Sequence, residues 1–142
     1  MKKIILLFLI VLSSACSSSD TNGLSITSQN LSGKWYLKGG TTNGGPFQDY
    51  VNDCTTSRDF QEFLTNGTLT YNEFNLACEQ YVETSNWELN GYEITITNTP
   101  FDPMVYEYKY IIEDLTNQLL IVKQTVIEPE GTSINRIYFT RN

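Results

Sequence analysis

Hydrophobic and polar residues alternate in short segments along most of the chain, and no segment keeps the 3.6-residue period of a helix. An alternation with a period of two predicts strands that bury one face. Turn sequences such as Asn66-Gly67, Asn90-Gly91 and Pro129-Glu130-Gly131 separate neighbouring segments. The predicted strands are Lys34–Lys38, Phe60–Leu64, Thr68–Tyr71, Trp87–Leu89, Tyr92–Thr97, Tyr106–Glu113, Gln118–Val126 and Ile134–Thr140.

Eight strands joined mostly by tight turns favour an all-β fold in which each strand pairs with the next in antiparallel fashion. We therefore predict an eight-stranded antiparallel up-and-down barrel, with a two-sheet β-sandwich as the alternative. The exception to the tight turns is the segment from Gly39 to Ser57, which is rich in Gly, Thr and Asn and contains Phe47 and Tyr50. Loops of this length in compact domains usually carry function.

The N-terminus has the three parts of a signal peptide. Lys2 and Lys3 precede an apolar run from Ile4 to Leu12, which is too short to span a bilayer, and small residues lead to Cys16. A cysteine at the first mature position resembles the lipobox of bacterial lipoproteins, in which the thiol is acylated, for example with palmitate. We therefore expect residues 1–15 to be a signal peptide, residues 16–29 a flexible tether carrying lipidated Cys16, and residues 30–142 a single domain.

This interpretation places the protein in the cell envelope, anchored in a membrane by acyl chains. Ser17 after the cysteine is compatible with the outer membrane, which we expect rather than the inner one. Cleavage removes Lys2 and Lys3, so the formal charge changes from −7 to −9. A chain this acidic is not expected to bind nucleic acid, because lysine and arginine supply most of that affinity.

Cys54 and Cys78 remain after lipidation of Cys16. In an oxidising compartment a pair of cysteines in a small domain favours a disulfide. The alternatives are a reactive thiol and a metal ligand, but the chain has no CxxC motif and no histidine.

The absence of histidine also excludes Ser-His-Asp and Cys-His catalysis and an imidazole metal site. No glycine-rich phosphate loop and no EF-hand loop is present, so we expect no enzymatic activity, no cofactor and no metal. Glu79, Glu83, Glu88 and Glu93 alternate with apolar residues and are predicted to face solvent.

Aromatic residues mark the predicted barrel interior. Tyr106, Tyr108 and Tyr110 share one face of a strand, and Tyr92 and Trp87 lie on the faces opposite them. Two interpretations remain open, namely a core packed solid with side chains and an aromatic cavity for a small ligand.

Leu31-Ser32-Gly33-Lys34-Trp35, at the start of the first strand, resembles the Gly-x-Trp signature of lipocalins. The resemblance implies an eight-stranded barrel in which Trp35 plugs the closed end and the long first loop borders the open mouth. It also implies a basic residue of the last strand over the Trp35 ring, with Arg141 as the first candidate and Arg136 as the second. The pattern is similar to small lipocalin-like lipoproteins of Gram-negative bacteria.

The lipocalin resemblance predicts a monomer that binds a small apolar or amphipathic ligand. The candidate ligand-binding residues are Phe47, Tyr50, Trp87, Tyr92, Tyr106, Tyr108 and Tyr110. The alternative function is a protein-binding module, either an inhibitor of a cell-envelope enzyme or an accessory subunit of a surface complex. In that case Phe47 and Tyr50 of the long loop would be the anchors.

Overall fold

The computed structural model describes residues 23–97, 107–129 and 131–141. A short helix, α1 (Ser28–Leu31), precedes the sheet and is capped by the Thr27 side chain, which accepts a hydrogen bond from Asn30 N–H. The strands are β1 (Gly33–Thr42), β2 (Gln48–Asp49), β3 (Phe60–Phe63), β4 (Thr68–Phe74), β5 (Gln80–Asn90), β6 (Glu93–Thr97), β7 (Glu107–Leu115), β8 (Leu119–Glu128) and β9 (Gly131–Thr140). Cys16 and Tyr106 lie outside the described residues.

The sheet closes on itself, which decides between the two predicted architectures. Each strand from β3 to β9 pairs antiparallel with its neighbour in sequence, and β1 pairs with both β3 and β9. The closing pairs run from Tyr36 opposite Thr140 to Thr42 opposite Asn135. Eight strands thus form a closed up-and-down barrel, as predicted, and the two-sheet sandwich is wrong.

One strand, β2, is not among the eight strands of the barrel and belongs to the first loop. It pairs with Gly39 and Gly40 of β1, which was predicted to end at Lys38 but continues to Thr42. Gly39 has φ +148°, and a Cβ there would lie 2.1 Å from Gln48 O. Only glycine tolerates both this backbone and this close approach, so the Gly-Gly pair lets three strands meet at one point.

Two tight turns at the closed end have glycines with positive φ. In the turn from β3 to β4, Gly67 has φ +84° and its N–H donates to Leu64 O, which suits a three-residue hairpin loop. The β5–β6 turn is closed by Asn90 opposite Glu93, so its two central residues are Gly91 and Tyr92.

The half of the barrel next to the closed end is filled with apolar side chains. Trp35 and Leu31 are fully buried, and Phe63 and Trp87 meet edge to face with their ring centroids 5.2 Å apart. The remaining core residues are Leu69, Ile94, Ile96, Ile112, Leu115, Leu120, Val122 and Phe139.

The chain joins the barrel at the closed end, before the predicted domain start at residue 30. Leu24 and Ile26 pack against the core, and Leu24 N–H donates a 2.7 Å hydrogen bond to Leu115 O. The described end of the predicted tether therefore lies against the barrel. No helix within the described ranges is long and apolar enough to cross a membrane.

Candidate functional site

Hydrogen bonds and a cation–ring contact hold Trp35 and Arg141 together at the closed end. Trp35 Nε1 donates to Leu31 O at 2.7 Å, and the guanidinium carbon of Arg141 lies 4.2 Å from the Trp35 ring centroid. Arg141 Nη2 also donates to Asn30 O and Ser32 O at 2.5 and 3.0 Å. Burial lowers the pKa of the Arg141 guanidinium from its ordinary value.

This geometry is the contact that the Gly-x-Trp resemblance implies for Arg141. Gly33, with φ +113°, begins β1 just before Trp35. The second candidate, Arg136, lies elsewhere and forms an ion pair with Glu113, with a 2.6 Å contact between Nε and Oε2.

A small apolar cavity of about 100 Å³ lies inside the barrel, above the closed-end core. Tyr110 and Gln61 supply its polar atoms, and burial raises the pKa of Tyr110 to about 12. The other lining residues are Leu37, Phe63, Ile94, Ile96, Leu120, Val122, Ile137 and Phe139. The interior is therefore neither packed solid nor as large as the roughly 300–1,000 Å³ of ordinary ligand pockets.

A larger cavity of about 490 Å³ lies at the mouth, between the first loop and β9. It is lined by Gly39 to Thr42 at the end of β1, by Gln48 to Tyr50 and by Asn135 to Ile137. Leu37 and Ile137 line both this mouth cavity and the deep cavity. The two spaces are thus neighbours, separated by the Leu37 and Ile137 side chains.

The first loop is held down at two points beside the mouth. The Tyr50 hydroxyl donates a 2.5 Å hydrogen bond to Asp59 Oδ2, and Phe74 N–H donates to Asp59 Oδ1 at 2.8 Å. The predicted disulfide is confirmed, because Cys54 in the loop is bonded to Cys78 in the turn between β4 and β5. Asp59 is only 7% exposed, so these contacts fix a buried carboxylate as well as the loop.

The predicted aromatic residues fall into different environments. Tyr110 lines the deep cavity, and Tyr108 packs against the core beside it. Trp87 is buried, and its Nε1 donates to Leu64 O and Thr68 O, so it is part of the core. The prediction that Tyr92 faces the interior is wrong, because Tyr92 lies in the turn after Gly91 and is 68% exposed.

The two loop aromatics differ as well. Phe47 packs edge to face on Tyr138, with 5.2 Å between ring centroids, on the outer side of the barrel. Tyr50 lines the mouth cavity. Both rings contact neighbouring parts of the protein and remain partly exposed, Phe47 at 40% and Tyr50 at 37%, so the protein-binding alternative stays a prediction.

The prediction also missed polar residues on the inner wall. Strand β4 pairs Tyr71 with Glu83 and Glu73 with Tyr81 of β5. These four residues line a space of about 180 Å³ near the mouth. Glu83 was predicted to face solvent, but it shares the inward face of Trp87 and its Oε2 is buried, so that prediction is wrong. Counting back from Trp87 in steps of two would have placed Ser85 and Glu83 inside and Tyr81 at the mouth end of the same face, where it is 57% exposed.

No family model matches the sequence, and no curated protein matches it. Solved structures do match the fold. A lipocalin-like protein from Bacteroides uniformis superposes with a TM-score of 0.59 at 19% identity, covering 80% of this chain and 99% of that one. An uncharacterized protein from Bacteroides eggerthii gives a TM-score of 0.56 at 17% identity, covering 78% of this chain and 98% of that one.

Lobster apocrustacyanin A1 gives a TM-score of 0.53 at 12% identity, covering 80% of this chain and 62% of its own. Identities this low show the fold alone, and that fold is the lipocalin-like barrel.

Proposed function

From the premise of a lipocalin-like barrel, we propose that this protein binds a small, largely apolar ligand inside the barrel. The observation that carries the proposal is the deep cavity, whose lining side chains are apolar except for those of Gln61 and Tyr110. Together with the adjoining mouth cavity, it gives space within the usual range for small-ligand pockets.

Binding rather than catalysis suits the chemistry of this site. The chain contains no histidine, and the groups at the deep cavity are a neutral amide and a phenol. The Tyr110 phenol, whose pKa burial raises to about 12, is protonated at neutral pH, so it donates or accepts a hydrogen bond but is not a base. These groups orient a ligand without activating it.

Binding of the neutral fluorescent probe N-phenyl-1-naphthylamine to the protein tests this function. Ile137→Trp should fill the boundary between the two cavities and abolish probe binding. Ile134→Trp is the matched control, because Ile134 lies on the outward face of the same strand and is 38% exposed. Unchanged probe affinity in folded Ile137→Trp protein would refute binding inside the barrel.

We further propose that Cys16 is acylated and anchors the barrel to the outer membrane of the cell envelope. The support is the order of basic residues, apolar run, small residues and cysteine at residues 1–16. Cells fed radiolabelled palmitate should label the wild-type protein and not Cys16→Ser. Equal labelling of both proteins would place the lipid elsewhere, and no labelling of either would reject the anchor.

A further inference from the structure

Carboxylates and tyrosines are concentrated on the inner wall above the deep cavity. Tyr71 and Glu73 of β4 face Glu83 and Tyr81 of β5 across the 180 Å³ space. A further space of about 50 Å³ lies next to both, since it shares Tyr71 and Glu73 with the 180 Å³ space and Leu37 and Gln61 with the deep cavity. Polar and apolar compartments therefore follow one another from the mouth inward.

Two polar atoms on this wall have no hydrogen-bond partner among the described residues. Glu83 Oε2 and Ser85 Oγ are buried and have no atom in hydrogen-bonding geometry. Ser85 is only 3% exposed and lies on the same inward face of β5, next to Glu83 in the alternation. Burial raises the pKa of the Tyr71 phenol and the nearby Ser85 hydroxyl opposes that rise, although Ser85 Oγ has no partner in hydrogen-bonding geometry among the described residues. Buried polar groups are nearly always paired, so these atoms mark a place for a ligand.

The missing partner for Glu83 is a hydrogen-bond donor, and the charges of the wall favour a cation. Burial raises the pKa of the Glu73 carboxyl, and the nearby charges of Asp59 and Glu83 raise it further. The ion pairs within the described ranges engage Lys109, Lys123 and Arg136 with Glu93, Glu107 and Glu113, so none of them neutralises this wall.

A metal ion fits this arrangement poorly. No cluster of three or more histidine, cysteine, aspartate or glutamate side chains in the described part of the chain has the geometry to hold one. An ammonium group fits better, because it donates up to three hydrogen bonds and is attracted by the faces of aromatic rings such as Tyr71 and Tyr81.

We propose that the barrel selects an organic amine, whose ammonium group lies between Glu83 and Glu73 and whose short apolar tail points towards the deep cavity. This inference rests on the proposed function and names the ligand class of the same site. The volume of about 100 Å³ limits the buried tail to a few carbon atoms.

Three probes of nearly equal size test the charge preference, namely hexylamine, 1-hexanol and hexanoate. Each is titrated at pH 7 and 150 mM salt against the full chain with its disulfide formed and N-phenyl-1-naphthylamine bound. We expect hexylamine to displace the probe at a concentration at least tenfold lower than 1-hexanol, and hexanoate to be the weakest.

Glu83→Gln should remove the preference for hexylamine and leave the affinity for 1-hexanol unchanged. Glu88→Gln is the matched control, because it removes the same charge from the exposed face of the same strand. Glu73→Gln is a second variant at an exposed position and should reduce the preference severalfold.

The outcomes separate the two proposals. Equal affinity for the amine and the alcohol, or an amine preference that survives in both Glu83→Gln and Glu73→Gln, would overturn the amine site while leaving an apolar ligand site intact. Failure of the wild-type protein to bind the fluorescent probe would overturn the proposed function itself.

Discussion

The contact between Trp35 and Arg141 should be energetically coupled. Trp35 is fully buried, its indole N–H is bonded to Leu31 O, and the Arg141 guanidinium lies 4.2 Å from its ring centroid. Replacing either side chain therefore removes an interaction with the other as well as its own packing and hydrogen bonds. A double-mutant cycle isolates the shared part.

The expected magnitudes follow from these contacts. Truncation of a buried tryptophan to alanine costs about 3–5 kcal/mol, so the milder Trp35→Leu should lower the free energy of unfolding by about 2–3 kcal/mol. Arg141→Ala should cost about 1–2 kcal/mol, because it removes two charge-assisted hydrogen bonds at a partly exposed position. The double variant should lose about 1 kcal/mol less than the sum of the two, since a cation over a ring contributes about that much.

Urea unfolding followed by far-ultraviolet circular dichroism measures each variant without relying on tryptophan fluorescence. Trp87→Leu is the matched control, because Trp87 is also buried but bonds to Leu64 O and Thr68 O, and no cation of the described residues lies over its ring. The losses from Trp87→Leu and Arg141→Ala should add to within about 0.5 kcal/mol. If the coupling free energy of Trp35 and Arg141 is no larger than that of the control pair, the contact does not stabilise the closed end and the reasoning is refuted.

Three further outcomes are expected. Replacing both Cys54 and Cys78 with alanine should lower the free energy of unfolding by about 3.5 kcal/mol on the chain-entropy estimate for a loop of about 25 residues, and an unchanged urea midpoint would contradict this. Gly39→Ala should separate β2 from β1 and speed amide exchange at Tyr50, whose N–H bonds to Lys38 O, whereas Gly23→Ala, with its nearest atom 3.9 Å away, should not. Stability should fall between pH 10 and about pH 12, because unfolding frees the Tyr110 phenol to ionise near its ordinary pKa of 10.0 instead of about 12, and Tyr110→Phe should make this fall less steep in urea titrations.

Most of the barrel could be predicted because its strands carry a local signal. Apolar residues such as Ile94 and Ile96 alternate with polar neighbours, and Asn-Gly pairs separate the strands near the closed end. Trp35 and Arg141 were linked through a resemblance to known proteins, since the 105 positions between them contain no pattern that joins the two. The closure of β1 on β9 is likewise a long-range contact that alternation within one strand does not encode.

The errors at the site have local causes. The sequence predicts a β5–β6 turn centred on Asn90 and Gly91, but the turn is centred on Gly91 and Tyr92. A shift of one residue at the turn changes whether Tyr92 belongs to the strand, and it left Tyr92 exposed. The prediction for Glu83 is wrong because it assumes that a charged residue faces solvent. Glu83 lies four residues before Trp87 on the same strand, so both side chains point to the inner face.

If Cys16 carries the proposed acyl anchor, the point at which the chain joins the barrel would set the direction of ligand exchange. Leu24 is bonded to Leu115 at the closed end, and the mouth lies at the opposite end of the strands. Seven residue steps separate Gly23 from Cys16, so an acyl anchor at Cys16 would keep the closed end within about 25 Å of the bilayer. The opening would then point away from the lipid, and the protein would capture its ligand from the surrounding aqueous phase rather than extract it from the leaflet in which it is anchored.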